Sequence, residues 1–148
     1  MDSIPSQKIR IYFENLKLEP SFFPFKEDWQ IQLGVVGKFS IHINDKELYE
    51  EVDFCLVEFA VQVCEWLNEA YRRDDFIYTS VESDEAGLVW IKKSDGMWRI
   101  GSVHQEYEEL RLFKLDEIDS SLKLFVENLI DAIPHQLKDK ILRIMKLS

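Results

Sequence analysis

The chain has 148 residues, of which 46% are apolar and 13% aromatic, enough to bury a core without disulfides or metal and too apolar for a disordered chain. Its 28 Asp and Glu outweigh 18 Lys and Arg, for a formal net charge of −10, which repels nucleic-acid phosphates and anionic membrane surfaces and favours basic partners. No apolar run approaches the ~20 residues of a membrane span, no basic-then-apolar leader opens the chain, and two cysteines do not make a secreted disulfide framework, so the expectation is one reduced, cytoplasmic, soluble domain over residues 1–148.

Residues 8–18, KIRIYFENLKL, alternate Ile9, Ile11 and Phe13 with Arg10, Tyr12 and Glu14, the period of a strand with one buried face. EPSFFPFKED at 19–28 breaks the pattern with two prolines and reads as a loop. Its Phe22, Phe23 and Phe25 are costly to leave in water, which predicts that the loop lies against the core. From Trp29 to Asn44, Trp29, Ile31 and Leu33 share a parity with Phe39, Ile41 and Ile43. One long strand fits, or a strand bent or bulged at Gly34 and Gly37. NDKE at 44–47 reads as a turn, and Leu48 and Tyr49 begin a short return strand.

Residues 53–73, DFCLVEFAVQVCEWLNEAYRR, carry polar residues at Glu58, Gln62, Glu65, Glu69 and Arg72. Those steps of four, three, four and three draw one line down a helix that is otherwise apolar. The pattern predicts a central buried helix with the glutamate line as its exposed edge. Asp53 is the expected N-cap, with Arg72 and Arg73 at the C-terminal end.

FIYTSV at 76–81, GLVWIKK at 87–93 and MWRIGSV at 97–103 follow as strands. A two-residue Asp95-Gly96 turn would set Lys92 directly opposite Arg99, and like charges so placed destabilise a pair. A three-residue turn pairs Trp90 with Ile100 and Lys92 with Trp98 instead, and that is the register expected. ELRLFKL at 109–115 offers one more strand. From Asp116, Ile118, Leu122, Phe125, Leu129 and Ile133 take helical spacing up to Pro134, and Leu137, Ile141, Leu142 and Met145 continue on a last helix. The order predicts an α+β domain: an antiparallel sheet, a central buried helix, and C-terminal helices packed on it.

Signals of chemistry are sparse. Cys55 and Cys64, nine apart on the expected helix, point in roughly opposite directions and ~13 Å apart along the axis, too far for a disulfide or a shared metal. Acidic neighbours oppose a thiolate, so both read as small buried core residues. Glu58, Glu65 and Glu69 lack the Glu-x-x-His pattern of a carboxylate metal site. His42, His104 and His135 show no ligand spacing, and Ser80, Ser83, Ser94 and Ser102 lack a nucleophile-elbow context. No glycine-rich phosphate loop occurs. Lys138, Lys140, Arg143 and Lys146 make a small basic patch that suits a helix C-terminus better than RNA. No catalytic, metal or cofactor residue follows from these patterns.

The acidic clusters remain. DKELYEEVD at 45–53 sets Glu47, Glu50 and Glu51 around Tyr49, HQEYEEL at 104–110 sets Glu106, Glu108 and Glu109 around Tyr107, and SDE at 83–85 adds two carboxylates. Acid mixed with tyrosine suits a surface that steers and anchors a basic protein. Ordinary edge-strand and loop charge accounts for the same residues.

LVEFAVQVCEWLNE, the preceding GKFSIHINDKELYEE and the following GLVWIKKSDGMWRIGSVHQEYE resemble a family of small acidic bacterial proteins of uncharacterised activity, over roughly residues 30–130. In that family a strand-turn-strand leads into an LLEFA…WL helix and then a hairpin. Such domains are similar to immunity proteins of polymorphic toxin systems, and the resemblance implies a protein-binding module that occludes a cognate basic, nuclease-like toxin. It brings no catalytic residue with it. The alternative is a small enzyme or small-molecule-binding domain with a pocket between helix and sheet.

Overall fold

β1 (Ile9–Leu18), β2 (Val35–Ile43) and β3 (Lys46–Cys55) form one antiparallel sheet in that spatial order, and β4 (Phe76–Thr79), β5 (Ala86–Ser94) and β6 (Met97–Gly101) form a second. The structure, a computed structural model, describes residues 8–69 and 74–147. α2 (Leu56–Leu67) links the sheets, and α3 (Leu115–Ala132) and α4 (His135–Ile144) close the chain. The result is a single α+β domain as expected, and among the described residues six strands are divided between two sheets rather than joined in one.

One core serves both sheets. Phe39 stacks on Phe54 with centroids 4.2 Å apart, and Phe59 of α2 meets Phe39, Phe54, Tyr78 and Phe125 edge-on. α2 is therefore the shared inner layer, with Leu56, Val57, Phe59, Ala60 and Val63 fully buried. α3 packs on β1 through the stripe expected of it: Ile118, Leu122, Phe125 and Leu129 are all buried. Pro134 ends α3 and stands at the start of α4, where its missing N–H costs nothing. Among the described residues no helix is long and apolar enough to cross a membrane.

Several local expectations are corrected. The Trp29–Asn44 stretch is not one strand: α1 (Asp28–Gly34) precedes β2. The Glu27 N–H donates to Gln30 Oε1 at 2.9 Å, half of a reciprocal cap that starts a helix in a segment whose alternation suggested a strand. Gly34 ends α1 where a Cβ would lie 2.5 Å from the Phe25 ring, and Phe22 packs there as well. The second glycine does mark an irregularity, since the β2–β3 register shifts between Gly37 and Phe39. Of the loop phenylalanines, Phe25 is buried and Phe22 half-buried, but Phe23 is 76% exposed.

β3 is ten residues long rather than a short return strand, and it consumes Asp53. Asp53 has φ +52° and pairs with Lys17 at 3.1 Å instead of capping α2. Cys55 occupies the cap position, so the two cysteines do not share a helix. Arg72 and Arg73 lie outside the described residues.

The hairpin register is corrected as well. Asp95 and Gly96 make a two-residue turn with φ +49° and +81°, and Lys92 does face Arg99. Packing outweighs the like charges. Ile91 falls opposite Ile100, both buried with Trp98, and Trp90 falls opposite Gly101 on the other face. A Cβ at Gly101 would lie 2.3 Å from the Trp90 ring, so the indole uses the room that glycine leaves. Lys92 stands over the Trp90 ring at 4.7 Å, and Arg99 donates to the Glu109 carbonyl at 3.1 Å. Each cation thus finds a partner other than the opposing one. Finally, 109–115 adds only one bridge, Trp98 to Phe113, rather than a strand.

Candidate functional site

The helix line of glutamates divides. Glu65 and Glu69 are exposed and Gln62 half-buried, but Glu58 is only 4% exposed. It lies in the first turn of α2, where the helix dipole favours a carboxylate. Tyr78 Oη donates to its Oε1 at 2.7 Å and the Val81 N–H to its Oε2 at 3.2 Å. Glu58 is therefore a buried strut between α2 and the second sheet. Sequence periodicity missed it because position on a helix line does not say which sheet crosses above it. The usable signal was apolar neighbours on both sides in the first turn.

The two cysteines behave as core residues. Cys55 is 6% and Cys64 5% exposed. Burial, reinforced by Glu58, pushes the Cys55 thiol up to about 12. Burial, reinforced by Glu65, pushes Cys64 up to about 11. Neither carries the thiolate that nucleophilic chemistry needs near neutral pH.

The acidic segments come together. The Glu106 N–H donates to the Leu48 carbonyl at 2.7 Å, and Lys46 stands over the Tyr107 ring at 4.0 Å, so 104–108 lies alongside β3. Glu47, Glu50 and Glu106 form the centre of this face. A hydrogen bond to Glu50, together with burial and the charges of Glu50 and Glu106, holds the Glu47 carboxyl above its ordinary value. Glu50 is held below its own by the hydrogen bond from Glu47 and by Lys38, 3.3 Å away. Tyr12, His42 and Arg10 border the face: Tyr12 Oη lies 3.2 Å from His42 Nε2, and Arg10 lies over the Tyr12 ring.

Not every residue expected on this surface is available there. Glu50, Glu106 and Glu108 are exposed, and Glu47, Glu51 and Tyr107 are half-buried. Tyr49 is 1% exposed, packed on Phe39 and donating to Glu51 at 3.3 Å, so it anchors the sheet rather than a partner. Glu109 is 4% exposed and ion-paired with Arg111 at 3.2 Å within its own segment, while its carbonyl accepts from Arg99 of β6 at 3.1 Å and holds that segment to the second sheet. Both were placed at edges by charge pattern alone, which does not reveal a carboxylate folded under its own segment.

Beside this face is an acidic cleft of about 280 Å³ that sequence reading did not assemble. β3 contributes Glu51, Val52 and Asp53, the turn between β4 and β5 contributes Glu82, Ser83 and Glu85, and His104 closes one side. Cys55, Tyr78 and Ser80 also line it. His104 Nε2 lies 3.0 Å from Glu85 Oε1. The 83–85 acids were visible in the sequence, but only the fold sets them against Glu51 and Asp53. A second cavity, about 320 Å³, lies between α2 and α3 among Cys64, Leu67, Val126, Ile130 and Leu147.

Residues 11–135 match the family described as Domain of unknown function (DUF7878). No curated protein and no solved structure matches the chain at a significant level.

Proposed function

We propose that the chain, which belongs to the DUF7878 family, is a protein-binding module of the immunity type. In this reading it works in the bacterial cytoplasm and neutralises a basic, nuclease-like toxin by covering its active surface. The observation that carries the reading is the joining of two sequence-distant acidic segments into one face, through the 2.7 Å bond between Glu106 and Leu48. Glu47, Glu50, Glu106 and Glu108 supply charge there, and the half-buried Tyr107 supplies an aromatic edge. Such a surface steers a cationic partner and fixes its orientation.

The test uses the purified product of a neighbouring gene with a toxin-like C-terminal region. Association is measured at two salt concentrations for the wild type and for Glu50→Lys, Glu106→Lys and Glu108→Lys. The expected result is a rate that falls with salt and drops about tenfold in the combined variant. Salt-independent rates that ignore all three reversals would remove the electrostatic inhibitor. One observation favours a second reading, a small-ligand or enzymatic site: His104 and Glu85 meet at the mouth of a cleft with further carboxylates. Binding of a small metabolite that survives in the triple reversal but is lost in His104→Ala would favour it.

A further inference from the structure

We infer that the aromatic face where the 19–27 loop, α1 and α4 meet is a two-fold interface with a second copy of this chain. The inference goes beyond the toxin-binding reading and does not depend on it.

Contacts between side chains assemble the face. Phe23 packs edge-on against Phe25 with ring centroids 6.5 Å apart, and Phe22 packs edge-on against Trp29 at 5.9 Å. The Phe25 and Phe22 rings both close on Gly34, where an added Cβ would lie 2.5 Å and 3.1 Å from them, so the four rings form one row. The row is wet at both ends. Phe23 is 76% and Trp29 55% exposed, the highest of any aromatic side chain among the described residues. Single exposed apolar residues are ordinary, but two exposed rings joined through a shared row make a patch. The loop that carries Phe23 is fixed by its backbone. The Glu19 N–H donates to the Gly34 carbonyl at 2.8 Å, the Phe23 N–H to the Pro20 carbonyl at 3.1 Å and the Phe25 N–H to the Phe22 carbonyl at 2.9 Å. A surface already ordered loses little freedom on binding.

The charges select the occupant. α4 lies beside the row: Lys140 donates to the Phe25 carbonyl at 3.3 Å, and Arg143 Nη2 is 3.5 Å from Asp28 Oδ1. A basic partner meets those cations, and an acidic partner or an anionic bilayer meets Asp28. A second copy brings both signs. In a two-fold contact the patch faces itself, so Arg143 of each copy can take Asp28 of the other. Within one copy both side chains of that pair are more than half exposed, and such a pair contributes little, so exchanging partners costs little. The net charge of −10 opposes self-association, above all at the Glu47–Glu50–Glu106 face. That face lies at the far end of β2. α1 leads into Val35, whereas Glu47 pairs with His42, about 23 Å along the strand at ~3.3 Å per residue. Two copies joined at α1 therefore hold their acidic faces apart and leave them free for another partner.

The experiment is sedimentation velocity on the full chain over a wide range of concentration, in enough NaCl to screen the net charge. The expected result is a shift from monomer to dimer as concentration rises. The dimer is lost in the Phe23→Ser, Trp29→Ser double variant and kept in Glu106→Lys. Asp28→Arg and Arg143→Asp each sediment as monomers alone. An equal mixture of the two forms the dimer, because each supplies the charge that the other lacks. Thermal unfolding checks that the variants keep the fold. A chain that stays monomeric throughout, a dimer that survives the double variant, assemblies that grow past the dimer, or a mixture no more associated than its components would overturn the inference. So would a monomer that co-sediments with phosphatidylglycerol vesicles through Phe23 and Trp29, a result that assigns the face to a lipid surface.

Discussion

Glu58 shows how one residue ties helix and sheet together. Its carboxylate serves two donors, the Tyr78 hydroxyl on β4 and the Val81 N–H in the turn that follows it, from a position 4% exposed. Glu58→Ala leaves the phenol and the amide without their acceptor, which costs about 1–3 kcal/mol for an unsatisfied buried group. Urea denaturation measures this, and Glu58→Gln should lose less because one acceptor oxygen remains. A Glu58→Ala protein as stable as the wild type would show that water replaces the carboxylate. The cysteines give a prediction of opposite character. Both thiols should label slowly in the native protein and fast on unfolding. Below the ordinary thiol value of 9.0 both states keep the proton on Cys55. Above it the unfolded chain releases that proton while the folded chain holds it up to about 12, so stability declines as pH rises through that window. Chemical denaturation at pH 8 and at pH 10 checks the sign, ideally beside a Cys55→Ala variant in which this contribution is absent.

At the scale of elements, the β5–β6 hairpin is the sharpest test, because charge and packing oppose each other there. Charge spacing favoured keeping Lys92 away from Arg99, whereas packing set Ile91 on Ile100 and Trp90 on Gly101. Gly101→Ala puts a methyl into the indole and should destabilise the fold by about 1–3 kcal/mol, the usual cost of overpacking. Gly96→Ala, at φ +81° with nothing near the added carbon, should cost only the ~1–2 kcal/mol of backbone strain. Thermal unfolding of the two variants reads the comparison, and a harmless Gly101→Ala would mean that Trp90 swings freely. The same hairpin explains what sequence could and could not convey. Periods of two and 3.6 located β1, the β4–β6 strands, α2 and α3, because burial of one face writes itself into the chain. Register did not follow, since it depends on which glycine a tryptophan happens to cross. α1 was hidden because Trp29, Ile31 and Leu33 alternate as in a strand, although on the helix Ile31 is buried and Trp29 is 55% exposed, and the deciding contact is the Glu27–Gln30 cap. The acidic face was half legible: Glu47, Glu50 and Glu106 were singled out, but the burial of Tyr49 and Glu109 and the assembly of the cleft depend on segments meeting in three dimensions.

Over the whole molecule, the net charge of −10 acts on stability as well as on partners. The ion pairs that could offset it are mostly wet. In both Lys17–Asp53 and Arg143–Asp28 each side chain is more than half exposed, and pairs of that kind contribute little. Repulsion among carboxylates should therefore outweigh attraction, and screening it with NaCl should raise the midpoint of thermal unfolding. Glu47 locates part of that repulsion. Its carboxyl is held above the ordinary 4.5 by the hydrogen bond to Glu50, so as pH falls from neutral it takes up a proton in the folded chain before it would in the unfolded one. Stability gains from Glu47 as pH falls toward 4.5. Glu50 has the opposite sign: its carboxyl is depressed by the same contact and by Lys38, so its contribution is lost only below 4.5. Glu47→Gln removes the like-charge contact at neutral pH. It should raise the low-salt midpoint and shrink the further rise on adding NaCl, as read by melts at two salt concentrations for wild type and variant. A wild-type midpoint that falls with salt would mean that the exposed ion pairs, not the excess of carboxylates, dominate the electrostatics of the fold.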